Sequence, residues 1–322
     1  MLILEIIKSI PSLKKSRGVV LYLIRWYLQG GICHHAPKLT GRTAIVTGAN
    51  CGIGYETAFR LAELDARVII ACRDVNKGID AASKIRSASG NNKVIVHSLD
   101  LADLDSVKAF ANNILQSEND ISYLINNAGV MACPPMTTKQ GFEYQLGVNH
   151  LGHFLLTSLL LERIKECRSS RIVNVSSKAG LHFYAKMHFD DLMFEKGEYN
   201  PWKAYAQSKL ANILFTRQLA KILEGTSVTT NCCHPGVVNT NLFRHLHVVP
   251  RVLFESIVSS FIKTPHAGAQ TQLYLALAPE LSSVSGHFFA DCKRENVSKK
   301  LSNDEDAERL WSISRELVSN YL

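Results

Sequence analysis

The stretch Thr47-Gly48-Ala49-Asn50-Cys51-Gly52-Ile53-Gly54 decides the fold of this chain. It follows an apolar run that predicts a strand and precedes a pattern that predicts an amphipathic helix. In such a strand–turn–helix unit, Gly48 permits the tight turn, Gly52 lets the backbone approach a ligand, and Gly54 allows close packing of the helix on the strand. The N–H groups at the start of the helix favour an anion. The stretch therefore predicts a phosphate-binding turn.

The alternation of strand and helix continues along the chain. From residue 41 onward, most of the short runs are apolar at their centre, as expected of parallel strands covered on both faces. This order predicts an α/β fold with a doubly wound parallel sheet, the Rossmann architecture, and right-handed crossovers. The predicted strands are Thr43–Thr47, Arg67–Cys72, Lys93–Ser98, Ile121–Asn126, Arg171–Ser176, Ser227–Cys232 and one near His287–Phe289. The predicted helices are Gly54–Leu64, Val75–Ser87, Leu104–Gln116, Gly141–Cys167, Pro201–Glu224 and Ala267–Ala278.

One further helix is predicted near the C-terminus. Ser302-x-x-Glu305 matches a capping box, and the apolar residues after it fall on one helix face. These residues are Ala307, Leu310, Trp311, Leu317 and Val318. Because no repeat, low-complexity segment or linker divides residues 41–322, we expect them to form one domain.

The composition favours a packed globular protein. Of the 322 residues, 46% are hydrophobic and 20% are charged. The net charge of +8 is not gathered into a basic stripe interleaved with aromatic residues, so nucleic acid is not predicted as a partner. The eight cysteines show no C-x-x-C pair and no metal-ligand spacing, and several lie in apolar runs. They predict reduced thiols in a reducing compartment and no metal site.

Residues 1–40 differ from the rest of the chain. Charged residues interrupt the apolar run Met1–Ile10, and Arg25 interrupts the run Val19–Leu28. Neither run reaches the roughly 20 predominantly apolar residues of a spanning helix. Three alternatives stay open: a weak signal-anchor, an interfacial amphipathic helix, or a soluble N-terminal helix. The basic flanks favour membrane association, and the lack of a small-residue cleavage site argues against a secretory signal.

Residues that follow the second, third and fourth predicted strands indicate that the phosphate-binding turn is part of a dinucleotide site. Where an NAD-selective protein has an acidic residue at the end of the second strand, this chain has Cys72-Arg73. A guanidinium suits a 2′-phosphate and predicts NADP(H), although Arg73 pairing only with Asp74 stays an alternative. Asp100-Leu101 is placed to meet the adenine edge. The contacts predicted from the two glycine-containing stretches are Gly48, Asn50, Cys51, Gly52, Ile53, Gly54, Asn127, Ala128 and Gly129.

A second pattern predicts hydride chemistry. In Tyr205-Ala206-Gln207-Ser208-Lys209, the tyrosine and the lysine stand at i and i+4 of a predicted helix and share a face. The pattern alone is weak, but it follows a strand ending in Ser176-Ser177 and a nucleotide-binding turn. A carbonyl accepts hydride only if the negative charge developing on its oxygen is protonated or stabilised. Val148-Asn149-His150 adds an asparagine to this pattern. Taken singly, Tyr205 could be a half-buried aromatic, Ser177 a helix cap and Asn149 a buried amide.

Together these motifs resemble the short-chain dehydrogenase/reductase family, from about residue 41 to the end of the chain. The flanking sequence is similar to the NADP-dependent retinol dehydrogenases within that family. The segments that carry the resemblance are Ala71-Cys72-Arg73-Asp74, Asn126-Asn127-Ala128-Gly129, Gly147-Val148-Asn149-His150-Leu151-Gly152-His153-Phe154, Asn174-Val175-Ser176-Ser177, Ser208-Lys209-Leu210-Ala211-Asn212 and His234-Pro235-Gly236-Val237-Val238.

The resemblance implies a role for each matching residue. Tyr205 is expected to exchange a proton with the substrate oxygen and also to contact the cofactor, and Ser177 to hydrogen-bond the substrate oxygen. Lys209 is expected to bind the nicotinamide ribose and to lower the pKa of the tyrosine from about 10 toward working pH. Asn149 is expected to hold a water that links the lysine to solvent. The residues expected to contact the nicotinamide end are Pro235, Gly236, Val238 and Thr240.

The resemblance also implies a lipophilic substrate, with retinol or retinal first. Residues 237–262 are strongly apolar, which fits either a core helix or a flexible cover over such a substrate. Two departures from the family pattern are present. Cys51 replaces a hydroxyl residue near the expected pyrophosphate and leaves the glycines intact. The stretch between Ser177 and Tyr205 is longer and more aromatic, and this second departure bears on substrate identity. A broad carbonyl or steroid reductase and a non-catalytic dinucleotide-binding scaffold remain alternatives.

The cytosolic face of the endoplasmic reticulum membrane is the expected location, and a mitochondrial membrane is the alternative. A homodimer is one assembly considered.

Overall fold

The sheet is built from the short apolar and β-branched runs of the sequence. The computed structural model describes residues 29–181, 185–238, 262–299 and 301–322. Within them, one sheet has eight strands in the order β3-β2-β1-β4-β5-β6-β7-β8. The first seven run parallel, and β8 pairs antiparallel with β7. The strands are β1 (Thr43–Thr47), β2 (Arg67–Cys72), β3 (Val94–Ser98), β4 (Tyr123–Asn126), β5 (Arg171–Val175), β6 (Thr229–His234), β7 (Phe288–Ala290) and β8 (Lys293–Glu295).

Helices cover both faces of this sheet. One apolar cluster joins one face to α1, α2 and α6, and a second joins the other face to α3, α4 and α5, with contributions from Trp311 and Val318. Every residue of β1 is therefore buried, which explains its continuous rather than alternating apolar pattern. The predicted doubly wound fold is confirmed. The longer helices are α1 (Gly52–Glu63), α2 (Val75–Ser89), α3 (Leu104–Ser117), α4 (Gly152–Glu166), α5 (Pro201–Ile222), α6 (Pro265–Leu277) and α7 (Asp304–Leu317). A short helical turn, Tyr144–Leu146, lies ahead of α4.

The edge strand β8 is absent from the sequence prediction. It is joined to β7 by the two residues Asp291 and Cys292, whose φ angles are 50° and 57°. A two-residue hairpin turn with both φ angles positive is normally signalled by Asn-Gly or Asp-Gly. Asp291 fits the first position of such a turn, but Cys292 takes the place of the glycine, so the turn carried only half of the usual signal.

The cap of α7 also differs from the prediction. Asn303, rather than Ser302, is the cap residue, and its Oδ1 accepts a hydrogen bond from the backbone N of Asp306 at 2.7 Å. The hydroxyl of Ser302 instead donates to the carbonyl of Ser298 at 3.3 Å. The predicted capping box was therefore wrong by one residue. Asparagine is as good a cap as serine, so propensity alone does not choose between them.

Residues 29–40, the described part of the predicted N-terminal segment, contact α6 and, at their end, the turn between α1 and β2. The backbone N of Cys33 donates to Gln270 Oε1 at 3.0 Å, and Leu39 is buried in the core. Both apolar runs of that segment fall within residues 1–28, outside the described residues. Among the residues that are described, no helix combines the length and apolar character required to cross a membrane.

Candidate active site

A cavity of about 1160 Å³ lies at the carboxyl ends of the parallel strands. β1 lies between β2 and β4 in the sheet, so the chain changes direction there and the loops after β1 and β4 part to leave a crevice. Ser177 lines this cavity, together with all the predicted cofactor contacts that the structure describes. These are Gly48, Asn50, Cys51, Gly52, Ile53, Gly54, Arg73, Asp100, Leu101, Asn127, Ala128, Gly129, Tyr205, Lys209, Pro235, Gly236 and Val238. Thr240 lies outside the described residues.

Two glycines in the turn between β1 and α1 occupy positions that other residues do not fit. Gly48 has a φ of +67°, which disfavours any other residue. A Cβ on Gly54 would lie 2.5 Å from Asn127 Nδ2 and 2.7 Å from the carbonyl oxygen of Gly48. The turn thus presents backbone, and the N-terminus of the 12-residue helix α1 opens onto the cavity. These features fit a dinucleotide pyrophosphate.

Two exposed cations follow β2, Arg73 directly after the strand and Lys77 in the first turn of α2. Arg73 Nη1 lies 3.4 Å from the hydroxyl oxygen of Tyr144. Lys77 Nζ pairs with Asp74 Oδ2 at 2.8 Å, and Asp74 also caps α2 by accepting from the backbone N of Lys77. Arg73 and Lys77 both line the cavity. The carboxylate of Asp74 is therefore engaged by Lys77, and the alternative in which Arg73 serves only to pair with Asp74 loses support.

The loop after β4 is fixed to β1 through one hydroxyl. Thr47 Oγ1 accepts the backbone N–H groups of Asn127 and Ala128, each at 2.9 Å. The side chain of Asn127 donates to the carbonyl of Thr47 at 2.8 Å. These bonds hold the backbone of Asn127–Gly129 along the cavity wall. On the neighbouring side, Asp100 Oδ1 accepts from the backbone N of Ala102 at 2.9 Å, which shapes the turn after β3.

Tyr205 and Lys209 project from α5 toward the end of β5. Pro201 starts the helix, and the side chain of Asn200 caps it. Ser176 Oγ donates to the carbonyl of Lys209 at 2.6 Å, which fixes the strand end to the helix. The next residue, Ser177, faces the cavity and accepts the backbone N–H of Ala179 at 3.1 Å. The structure thereby brings together three of the four side chains that the sequence predicted as the catalytic group.

The protonation of this group differs from the sequence expectation. Burial raises the pKa of Tyr205 to about 12, and the hydrogen bond with Ser177 lowers it by less. Burial also lowers the pKa of Lys209 to about 8. Lys209 Nζ lies 5.8 Å from the centre of the tyrosine ring and 3.2 Å from the carbonyl oxygen of Val175. In the free protein, desolvation therefore outweighs the predicted lowering of the tyrosine pKa by the lysine charge.

Asn149 is buried beneath the cavity instead of lining it. Its Oδ1 accepts from the backbone N of Val130 at 2.8 Å. Its Nδ2 donates to the carbonyl of Val130 and to Ser208 Oγ, each at 2.9 Å. The residue lies in a π-helical turn, Gly147–Leu151, that interrupts the predicted continuous helix Gly141–Cys167 before α4. Such turns recur at functional sites, and no periodicity in the sequence signalled this one.

The other end of the cavity has apolar residues that the sequence analysis did not single out. Met131, Ala132 and the partly buried Ala179 pack around Tyr205. Trp202, three residues before Tyr205 on α5, and Val237 line the mouth with exposed fractions of 44% and 56%. A large exposed tryptophan one helical turn from the tyrosine was a readable signal. The aromatic residues at 182–184 and most of the apolar stretch 237–262 lie outside the described residues.

A doubly wound sheet with a glycine-rich turn at its crossover point and a tyrosine–lysine–serine group beside the same cavity defines an oxidoreductase that uses a nicotinamide dinucleotide. The chain belongs to the short-chain dehydrogenase family, whose sequence pattern matches residues 42–189 and 193–248. The predicted family is thus confirmed.

Similarity to individual proteins extends over most of the chain. Human "Retinol dehydrogenase 12" is 52% identical over 295 residues, which cover 92% of each chain. Mouse "Retinol dehydrogenase 11" is 51% identical over 303 residues, 93% of this chain and 94% of the relative.

Solved structures share the fold. An uncharacterised protein of Mycobacterium paratuberculosis is 35% identical with a TM-score of 0.73, over 90% of this chain and 98% of that one. A short chain dehydrogenase of Escherichia coli CFT073, solved in complex with NADPH, is 25% identical with a TM-score of 0.63, over 80% of this chain and 98% of that one.

Proposed function

We propose that this protein is an NADP(H)-dependent oxidoreductase that interconverts a lipophilic alcohol and its aldehyde or ketone, with retinol and retinal as the first candidates. One observation carries the proposal. The buried Tyr205 and Lys209 stand beside Ser177 at one end of a cavity that also contains a glycine-rich turn and two cations. The names of the relatives, "Retinol dehydrogenase" 11 and 12, support the substrate class.

The residues around the turn fit NADP(H). The backbone of Gly48–Gly54 would hold the pyrophosphate, and Asp100 and Leu101 would border the adenine. Arg73 and Lys77 would meet the 2′-phosphate, because both are exposed cations on the cavity wall next to the end of β2. Bound in this way, the cofactor supplies or accepts the hydride. The Escherichia coli structure solved with NADPH supports this choice of cofactor.

The protein's own residues handle the proton. With a pKa of about 12, the phenol of Tyr205 is protonated at working pH and can donate to the oxygen of a carbonyl substrate. Ser177 would hydrogen-bond the same oxygen and hold it beside the phenol. Lys209, with a pKa of about 8, can exist in both protonation states near neutral pH and can return the proton to Tyr205. Asn149 would position the route from Lys209 to solvent.

The reacting end favours an apolar substrate. Met131, Ala132 and Ala179 exclude water around Tyr205, and the indole of Trp202 offers a flat apolar wall at the mouth. The apolar runs in residues 1–40 would hold the protein at a membrane, where a lipophilic substrate is concentrated, and we place it at the cytosolic face of the endoplasmic reticulum.

The test is a substrate panel with the purified full-length chain, all-trans-retinal, a steroid ketone and a short aldehyde, each with NADPH and NADH. We expect retinal to give the highest kcat/KM, with NADPH preferred. Trp202→Ala should raise the KM for retinal by about five- to tenfold, since burying one side of a polyene on the indole is worth about 1–1.4 kcal/mol. Lys203→Ala, an exposed neighbour outside the cavity lining, is the matched control.

Each outcome of the panel decides between candidates. Preference for the steroid or for the short aldehyde would leave a carbonyl reductase and refute the retinoid assignment. No turnover with any carbonyl would refute the enzyme and leave a dinucleotide-binding scaffold.

A further inference from the structure

We infer that His153 is a positioning residue for this reaction. Its imidazole ties the turn that holds Asn149 to the backbone of Asn127 and Ala128, through the hydroxyl of Thr47. The inference rests on the proposed function for its kinetic consequences, while its geometry stands on the structure. His153 itself reaches neither the cavity nor the reacting groups, since it is buried on α4 with an exposed fraction of 2%.

The contacts of the imidazole belong to a continuous series of hydrogen bonds. His153 Nδ1 lies 3.1 Å from the backbone carbonyl oxygen of Asn149. On the opposite side of the ring, Nε2 lies 2.9 Å from Thr47 Oγ1. The same Thr47 oxygen accepts the backbone N–H groups of Asn127 and Ala128 at 2.9 Å. One side chain therefore joins three segments that meet at the cavity: the end of β1, the loop after β4 and the π-helical turn.

The donor and acceptor of each hydrogen bond in this series follow from the chemical groups involved. A carbonyl oxygen only accepts, so Nδ1 must hold the proton and donate it to Asn149. Thr47 Oγ1 uses its two lone pairs on two N–H groups, so its own proton is left to donate. Nε2, bare in this tautomer, receives it at 2.9 Å, whereas the other acceptor, the carbonyl of Ile125, lies farther away at 3.4 Å. The hydroxyl, the imidazole and both amides are then satisfied.

The imidazole is neutral in this position. Burial lowers the pKa of His153 to about 4, the bond to Asn149 raises it by less, and the charge of Lys209 lowers it. A protonated ring would place an N–H at Nε2 against the proton of Thr47. Neutrality therefore maintains one arrangement of donors and acceptors throughout the working range, which is what a positioning residue requires.

The site needs this connection because Asn149 lies in an irregular turn. In the π-helical turn the N–H of Gly152 bonds to the carbonyl of Gly147, five residues back, so the regular i to i−4 ladder is interrupted. The Asn149 carbonyl receives the His153 side chain, which lies four residues along the chain. The Asn149 amide meanwhile holds Val130 beyond Gly129. Without His153, the loop that contains Gly129 and the turn that contains Asn149 would lose a common support. Both segments lie beside Lys209.

Another buried histidine in the same segment provides the matched control. His150 is also fully buried, and burial lowers its pKa to about 3. Its Nε2 lies 2.8 Å from Ser314 Oγ on α7, and its ring packs against Phe154 and Phe215. It connects α7 to the core instead of connecting cavity walls, so its replacement should affect stability without the kinetic signature of His153.

The test is a double-mutant cycle with Thr47→Val and His153→Leu, reading kcat for retinal, the Kd for NADPH and thermal stability. Each single variant should lower kcat at least about tenfold, because small misplacements of reacting groups are costly, and should raise the NADPH Kd. The double variant should lose no more than about twofold in kcat beyond the worse single variant, since both substitutions break the same series of hydrogen bonds. His153→Asn, which keeps a donor near the Nδ1 position, should recover part of kcat.

Two results would overturn the inference. One is a double variant whose losses multiply. The other is His150→Leu losing kcat as strongly as His153→Leu at a matched loss of stability, which would make the effect one of general packing.

A measurement on the unaltered protein covers the case in which His153→Leu does not fold. Nitrogen-15 NMR of labelled histidine, assigned by comparison with His153→Asn, or with Thr47→Val if the asparagine variant also fails to fold, should show His153 protonated at Nδ1 and bare at Nε2. The opposite tautomer would refute the assigned series of hydrogen bonds through His153. If wild-type protein turns over no carbonyl, the proposed function fails, while the NADPH Kd and the tautomer still decide the role of His153.

Discussion

The two ends of the cavity present different kinds of groups. At the dinucleotide end, the glycine-rich turn offers backbone N–H groups, and the cations Arg73 and Lys77 stand in solvent. At the reacting end, Tyr205 and Lys209 are side chains buried to exposed fractions of 5% and 3%. In the proposed function, one end would bind through the shape of the main chain, and the other would act through groups whose charge is set by desolvation.

This difference determines how each end tolerates change. A backbone site depends on φ angles and on space, so side-chain chemistry around it can vary as long as the glycines stay. A desolvated group has few substitutes, because its pKa and its orientation both depend on burial. Substitutions should therefore be graded, with the largest effects at the reacting end.

The largest effect is expected for Tyr205→Phe. Removing the hydroxyl removes the proton donor, so kcat should fall by roughly 1,000-fold or more, in the upper part of the range for general acid catalysis. The Kd for NADPH should change less than about twofold, because the ring still fills its place in the buried group around Met131 and Ala179. Stopped-flow turnover with retinal and fluorescence titration of NADPH measure the two quantities. Activity within tenfold of the wild type would refute the assigned donor.

Lys209→Met should separate activity from stability. We expect kcat to fall by roughly 100-fold or more, since the lysine no longer returns the proton. Charging Lys209 in the folded protein costs on the order of 3 kcal/mol, because its pKa is lowered from 10.5 to about 8. Removing that cost should raise the free energy of unfolding at pH 7. The carbonyl of Val175 keeps a partner in Asn212 Nδ2 at 3.2 Å.

The pH dependence of this stability difference has a definite sign. Below pH 8, Lys209 is protonated in both states and the folded protein bears the full cost. Between pH 8 and 10.5 the folded state loses its proton first, so wild-type stability rises and the advantage of Lys209→Met shrinks. Tyr205 acts oppositely, but only from pH 10 to 12, where the unfolded phenol ionises first. Urea unfolding from pH 7 to pH 10 measures this, and a constant difference would contradict the assigned pKa of Lys209.

At the dinucleotide end, Arg73→Ala should have a smaller and selective effect. Loss of one exposed cation from a 2′-phosphate should raise the KM for NADPH by roughly 10- to 100-fold, as expected for a charge-assisted contact worth about 1.5–3 kcal/mol. The KM for NADH, which has no such phosphate, should stay nearly constant. Lys77 remains in place, so binding of NADPH should persist. Equal losses with both cofactors would show that Arg73 supports the loop rather than the phosphate.

The same contrast explains what could be predicted from the sequence. Gly48, Gly52 and Gly54 were readable because a turn that needs positive φ or close contact demands glycine at fixed spacing. Tyr205 and Lys209 were readable from helical periodicity combined with Ser177 across the cavity. The parallel strands were readable from their continuous apolar runs, and their order in the sheet agrees with the expected fold.

What could not be predicted depends on tertiary contacts. The raised pKa of Tyr205 follows from burial by residues distant in sequence, so a lysine one helical turn away was given too much weight. The role inferred for His153 requires that β1, the loop after β4 and α4 meet, which no local pattern reports. The turn at Asp291–Cys292 departs from the usual hairpin residues, and the edge strand was missed for that reason.

The smallest effect is expected for Cys51→Ser, in the turn that binds through its backbone. Cys51 occupies the cap position of α1 with extended backbone, but its side chain does not cap the helix N-terminus. A serine hydroxyl is a good cap, so the free energy of unfolding should rise by about 0.5–1 kcal/mol. The Kd for NADPH should change by no more than about twofold and kcat should stay constant, because in the proposed binding mode the phosphate contacts come from main-chain N–H groups. Urea unfolding, an NADPH titration and turnover of retinal provide the three values. A loss of kcat beyond about threefold would mean that the thiol itself shapes the site, and the distinction between a backbone end and a side-chain end would not hold at this position.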